Sequence, residues 1–349
     1  MPLFPIPPRS EFASDADRAV CRAMIRTGSK SFFAASLLLP ASVRQAAYAL
    51  YAFCRLSDDM VDVGGGSAGA IARLRARLAL AYDGRPADAS VDRVFADMVA
   101  HFAMPRALPE ALIDGLEWDV AGVRCEDLAA VQAYAARVAG SVGAMMTVLM
   151  GVREHDVLAR ACELGVAMQF TNIARDVGED ARNGRLYLPR SWLRDEGLDP
   201  DAWLAAPVWR PEIGRVVARL LREAEGLYRI AESGIGGLPA LCRPGIFAAR
   251  HLYAEIGVQI ARNGFDSVTA RARVPGARKL HLMMRSLVDA ARLRQPDKNP
   301  ALAQTRYLVE AALAAPPATR LPRLTDRILW VAELFVTLQE RNRLPQIRA

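Results

Sequence analysis

Apolar residues recur at intervals of three and four along almost the whole of this 349-residue chain, whereas alternating β-branched runs bounded by turns hardly occur. A chain patterned this way buries helical stripes, not sheet faces, so the fold class it predicts is all-α. The spacing predicts helices over 43–62, 69–82, 127–151, 155–180, 212–233, 244–262, 277–293, 301–314 and 324–341. Gly- and Pro-rich breakers separate them, among them VGGGSAG (63–69), NGRLYLP (183–189) and AAPPATRLP (314–322). None is long enough to link domains and no repeat of solenoid length is present, so a single helical domain over 1–349 is expected, with residues 1–15 irregular.

Just over half of the residues are apolar, enough for a large core. The net charge of +7 is modest, and only three of the 45 basic residues are lysines (Lys30, Lys279, Lys298). No basic run is interleaved with aromatics, which argues against nucleic acid as a partner. The five cysteines are scattered and never form a CxxC pair, so neither a thiolate metal site nor a disulfide framework is expected. The proline-broken start MPLFPIPPRSEF lacks the architecture of a signal peptide. The uncharged stretch 138–152 is shorter than the ~20 residues that span a bilayer and reads as a buried helix. The expected location is the cytoplasm. The apolar face of 324–341, with Trp330 and Phe335, suits either bundle packing or contact with a membrane surface.

Two acidic helix faces carry the chemistry. In AAYALYAFCRLSDDMVD (46–62), helical geometry places Tyr48, Tyr51, Arg55, Asp58 and Asp62 on one arc, with Asp59 at its edge. A second group follows 118 residues on in QFTNIARDVGED, where Gln169, Asn172, Asp176 and Asp180 share a face. In each group two aspartates stand at i and i+4, roughly 6 Å apart at Cβ, and repel one another unless a cation intervenes. Oxygen-only ligands suit Mg²⁺ (or Mn²⁺), which takes one or two carboxylates and completes its shell with water and substrate phosphate. The histidines (101, 155, 251, 281) stand apart from both groups, against zinc or non-haem iron. Each acidic face continues an apolar run, so the pair implies two helices facing each other across a cavity that is polar at its mouth and oily below. A ligand with a diphosphate head and a long hydrocarbon tail would fit it. No strand–GxGxxG–helix unit is present, and no nicotinamide is expected.

These blocks, with GSKSFFAASLLLP (28–40), YAARVAGSVG (134–143) and GVAMQFTNIARDVGEDARNGRLYLP (165–189), resemble the squalene/phytoene synthase family, most closely its bacterial phytoene-forming branch. The resemblance implies an isoprenoid-synthase helical bundle around a central cavity. It also implies a prenyltransferase of carotenoid biosynthesis that joins two geranylgeranyl diphosphates head to head through a cyclopropyl diphosphate. It further implies that Asp58, Asp62, Asp176, Asp180 and Asn172 hold the metal and that Gln169 is a polar neighbour upstream. Arg55 would contact diphosphate, Ser29, Ser31 and Phe32 would form the pocket lip, and Tyr134 and Tyr253 would line the site. Arg271 or Arg273 would be a further diphosphate contact. Tyr48 and Tyr51 are candidates to face a migrating cation, and Arg185 and Tyr187 to cover the site. The family often has a second aromatic residue or a cysteine just after Tyr134; here Ala135, Ala136 and Arg137 stand there. The alternatives are a squalene- or dehydrosqualene-type enzyme acting on a C15 diphosphate, and a helical assembly protein that keeps the fold without catalysis.

Overall fold

The computed structural model describes residues 12–63, 68–292 and 295–314, with Asp62 and Val63 described by backbone alone. The described residues form helices and connecting turns, with no strand. In chain order the helices are α1 (Asp15–Gly28), α2 (Lys30–Ser36), α3 (Ala41–Val63), α4 (Ala68–Tyr82), α5 (Ser90–Phe102), α6 (Ala107–Val120), α7 (Leu128–Ala135) and α8 (Ser141–Leu149). They continue as α9 (His155–Arg182), α10 (Arg190–Asp195), α11 (Pro200–Ala205), α12 (Pro211–Ile235), α13 (Arg243–Arg262), α14 (Gly276–Ala290) and α15 (Arg306–Ala314).

Local chemistry sets several boundaries. Ser14 and Asp17 form a reciprocal capping box that starts α1, so the chain turns helical at Asp15, within the stretch expected to be irregular. Ser29 ends α1 and caps α2 by accepting from Phe32 N–H. Asp199 caps α11, where Pro200 occupies the opening turn without losing a hydrogen bond.

The 28-residue α9 is about 42 Å long and is the axis of the molecule. It packs on α8, α12, α13 and α15, while α3 packs on α1, α5, α6 and α8. Glycines permit the closest of these contacts. A Cβ on Gly143 would lie 2.2 Å from the Ala161 carbonyl oxygen of α9, and one on Gly165 would lie 2.2 Å from that of Ala139.

The predicted helix 127–151 is instead α7 and α8 joined by a π-helical turn, Ala136–Gly140, which lies where Gly165 lets α9 press on the backbone. The segment 301–314 opens with a 3₁₀ turn, Ala303–Thr305, before α15, and α14 stops at Ala290. Six helices (α1, α2, α5, α6, α10, α11) were not among the predicted segments. In α6, Pro109 and Gly115 interrupt the apolar pattern, and α10 and α11 have six residues each, too few to show a period. The predicted helix 324–341 lies outside the described residues.

Candidate active site

Helices α3 and α9 bring the two acidic faces to one place. A cavity of about 370 Å³ is lined from α3 by Ala47, Leu50 and Tyr51, from α9 by Val157, Ala161, Leu164 and Met168, and from α8 by Val142, Gly143 and Met146. Ile235 of α12, Phe32 of α2 and Tyr253 of α13 also line it. A second chamber, of about 410 Å³, holds the polar groups: Arg55, Asp58, Asp119, Tyr134, Arg175, Asp176, Asp180, Arg185 and Tyr187. Cys54, Arg55, Asp58, Val138, Gln169 and Asn172 line both, so oily cavity and polar chamber meet at these residues. Between Val157 and Asn172 the axis of α9 advances about 22 Å, and the lining of the oily cavity runs along that length. Asp62 falls in the last turn of α3, and its side chain is outside the described ones.

The end of α9 aims the next segment at the chamber. Gly184, at φ +73°, ends the helix, with Arg185 N–H donating to Asp180 O at 2.9 Å and Gly184 N–H to Ala181 O at 3.0 Å. This is the glycine-dependent closure of a helix C-terminus. It turns the chain back so that Arg185 and Tyr187 line the chamber next to Asp180.

The electrostatics centre on Asp176 and Asp180. Burial first, and then the charge of Asp176, push the Asp180 carboxyl up to about 7. Asp176 is held by two guanidinium groups: Arg175 donates from Nε at 2.8 Å and from Nη2 at 2.6 Å, and Arg271 donates from Nε at 2.8 Å. Arg271 also pairs with Glu179 at 3.5 Å. Across the chamber Arg55 pairs with Asp59 at 2.7 Å. Asn172 donates from Nδ2 to Gln169 at 3.3 Å, while its Oδ1 is buried without a hydrogen-bond partner in the protein.

These groups fit a hard divalent cation. The donor set is oxygen only, a buried amide oxygen of Asn172 lacks a donor, and burial together with the Asp176 charge makes the Asp180 carboxylate costly to ionise unless a cation is near. Among the described residues no three His, Cys, Asp or Glu side chains form a ready-made cage.

The other predicted residues divide. Phe32 and Tyr253 stack at 4.8 Å between centroids and line the oily cavity with Tyr51. Tyr48 is 2 % exposed, lies behind the lining with its hydroxyl 3.4 Å from Ser36 Oγ, and faces neither chamber. Ser29 is occupied as the cap of α2, and neither it nor Ser31 lines a chamber. Arg271 reaches the site through Asp176, whereas Arg273 is exposed. The second ring beside Tyr134 comes from Tyr187, stacked on it at 4.9 Å, and not from positions 135–137. Arg137 turns away to lie over Trp118 at 4.3 Å.

Sequence reasoning missed Asp119 and Arg175. Arg175 stood inside a quoted block, next to Asp176, and its side chain reaches that carboxylate from the adjacent position. Asp119 lies in α6, where no helix was predicted. Its carboxylate accepts from Tyr134 Oη at 3.1 Å and from Tyr187 Oη at 2.7 Å.

Comparison with known proteins gives the family. The squalene/phytoene synthase family profile matches residues 25–278. Over 288 residues the chain is 56% identical to a phytoene synthase of Cereibacter sphaeroides, covering 80% of this chain and 81% of the relative. It is 37% identical over 293 residues to a 15-cis-phytoene synthase of Pantoea ananas, covering 78% and 93% of the two chains. A crystal structure of a dehydrosqualene synthase in complex with ligand is similar at TM-score 0.72 and 29% identity, covering 78% of this chain and 95% of that one.

Proposed function

The chain belongs to the squalene/phytoene synthase family, and we propose that it joins two molecules of geranylgeranyl diphosphate head to head, with Mg²⁺ as cofactor, to form phytoene through a cyclopropyl diphosphate. It is a prenyltransferase of the phytoene-forming type, acting in carotenoid biosynthesis. The observation that carries the substrate assignment is the continuity of the two chambers: groups suited to diphosphate and metal open, through Gln169 and Asn172, into an apolar cavity that follows α9.

Asp58, Asp62, Asp176, Asp180 and Asn172 would hold the metal, which supplies Lewis-acid neutralisation of the departing diphosphate. Arg55 lies in the lining of both chambers, where a fixed guanidinium can donate to phosphate oxygens while the C–O bond breaks. Arg175 and Arg271 hold Asp176 in a single orientation. The resulting allylic cation must be kept from water, and the apolar cavity wall that includes Leu50, Leu164, Met168 and Met146 disfavours water beside it. Tyr51, Phe32 and Tyr253 present aromatic surface between that wall and the polar mouth, where a cation is stabilised by a ring face. Burial raises the Tyr253 hydroxyl to about 12 and raises that of Tyr51, so both rings act as neutral phenols. Among the described residues no helix is long and apolar enough to cross a membrane.

The test is incubation of the purified protein with C15 and C20 diphosphates, with and without Mg²⁺, followed by identification of the hydrocarbon. Formation of the C40 hydrocarbon from the C20 substrate, abolished by chelation, is expected. Faster turnover of the C15 substrate would replace geranylgeranyl by farnesyl diphosphate, and no hydrocarbon from either would overturn the assignment.

A further inference from the structure

Asp119 sits at an unfavourable place for a carboxylate. It is in the last turn of α6, where the partial negative charge of the helix end repels an anion. Its carboxylate lies in the wall of the polar chamber. Two phenols converge on it from different parts of the chain. Tyr134 in α7 donates to Oδ2 at 3.1 Å, and Tyr187, from the segment after α9, donates to Oδ1 at 2.7 Å. Their rings are stacked at 4.9 Å with an interplanar angle of 18°. One carboxylate therefore ties together α6, α7 and the segment that follows the acidic face of α9.

The chemistry of this tie is specific. A phenol has a single proton, and each of these two phenols donates it to Asp119. Hydrogen bonds to a charged acceptor are roughly twice as strong as neutral ones, so the pair is firmly oriented. A hydroxyl that donates to a carboxylate is polarised toward phenolate, which enriches the ring and strengthens its attraction for a nearby cation. Burial first, and then the charge of Asp119, raise both hydroxyls above their ordinary range, so the two tyrosines keep their protons.

We propose that Asp119 is a positioning residue of the reaction: it holds the stacked Tyr134 and Tyr187 by their hydroxyls, fixing segment 183–189 against the polar chamber and presenting two electron-rich rings to the cationic intermediates. The assignment rests on the prenyltransferase reading above and adds to it a residue outside the set that would hold the metal.

Two measurements separate the inference from that reading. The first needs no substrate: hydrogen exchange of segment 185–189 in Asp119→Asn, which keeps the side-chain volume but accepts fewer phenol protons. The expected result is exchange faster than in the unaltered protein, with an unchanged melting temperature. The second is kinetic. Asp119→Asn is expected to lower kcat about 10- to 100-fold, the cost of a small misplacement of catalytic surface, with KM nearly unchanged. The same substitution in a Tyr134→Phe/Tyr187→Phe background is expected to cause no further loss, because the carboxylate acts through those hydroxyls. If Asp119→Asn does not fold, Tyr187→Phe removes one arm of the tie and takes its place in the exchange and kcat measurements. Unchanged exchange, or a kcat loss of equal size in the double-phenylalanine background, overturns the proposal. Absence of hydrocarbon from the unaltered protein defeats the reading of function and leaves the exchange measurement standing.

Discussion

Asn172 is the residue whose state in the folded protein most directly invites a ligand. Its Oδ1 is buried and unpartnered, and such an acceptor costs about 1–3 kcal/mol unless something donates to it or coordinates it. Asn172→Leu removes that oxygen and a single long hydrogen bond to Gln169. Turnover is expected to fall about 10- to 100-fold and the Mg²⁺ concentration for half-maximal rate to rise, while denaturant titration should show no more than about 1 kcal/mol of lost stability. His251 bears on stability instead. It is buried between α13 and α14, with Nε2 2.9 Å from Asp289 Oδ2 and Arg250 at 3.3 Å from Nδ1, and Arg285 pairs with the same Asp289. Burial first, and Arg250 next, hold its imidazole below the ordinary value of 6.5, outweighing the attraction of Asp289. The unfolded chain therefore takes up a proton that the folded chain refuses, and this contribution to stability, complete above about pH 6.5, is lost as pH falls toward the folded value. Melting temperature measured from about pH 7 down to 5.5 should decline, and His251→Gln should flatten the decline.

At the scale of elements, the site depends on how closely α9 approaches α8 and the π turn before it. Gly165→Ala would place a methyl group 2.2 Å from the Ala139 carbonyl oxygen, a contact relieved only by moving backbone. A loss of about 1–3 kcal/mol is expected, measurable by denaturant unfolding. Activity should fall with it, because Gln169 and Asn172 ride on the same helix one turn and two turns further on. The segment 183–189 is the second such element. Its direction is set by the Gly184 closure of α9, and it places Leu188 in the core and Tyr187 on the chamber. Shortening it should raise the share of prenyl alcohol among the products, since water would reach the allylic cation. An unchanged ratio of alcohol to hydrocarbon would remove the covering role from this segment.

At the scale of the molecule, the buried pair Arg160–Glu163 links the oily cavity to the end of the described chain. Arg160 lines the cavity, is 1 % exposed and pairs through Nε with Glu163 Oε2 at 2.8 Å. Its Nη2 donates to the carbonyls of Asn299 and Pro300 at 3.1 and 3.3 Å, and Glu163 accepts from Leu302 N–H at 3.2 Å. The pair fastens the connection between α14 and α15 to the outside of α9. Arg160→Met alone leaves a buried carboxylate unpaired and should cost about 3–5 kcal/mol in unfolding free energy. Adding Glu163→Leu should recover much of that loss, since two apolar side chains leave no buried charge.

What the amino-acid sequence determined by itself was whatever local periodicity encodes: the helical class, the acidic faces at 58–62 and 176–180, and their continuation into apolar stripes. Helical spacing puts residues three and four apart on one face regardless of what surrounds the helix, so Arg55 and Asp58, or Asn172 and Asp176, were visible as groups before any fold was known. The tertiary structure alone decided which residues of one stripe line the cavity. Tyr48 and Tyr51 occupy the same arc of α3, yet neighbouring helices bury the first behind the cavity wall and leave the second facing it. It also decided the Asp119 tie, whose three members lie 15 and 68 positions apart and share no period. Contacts of that kind depend on where α6, α7 and the turn after α9 come to rest against one another, and this is settled by packing over the whole core.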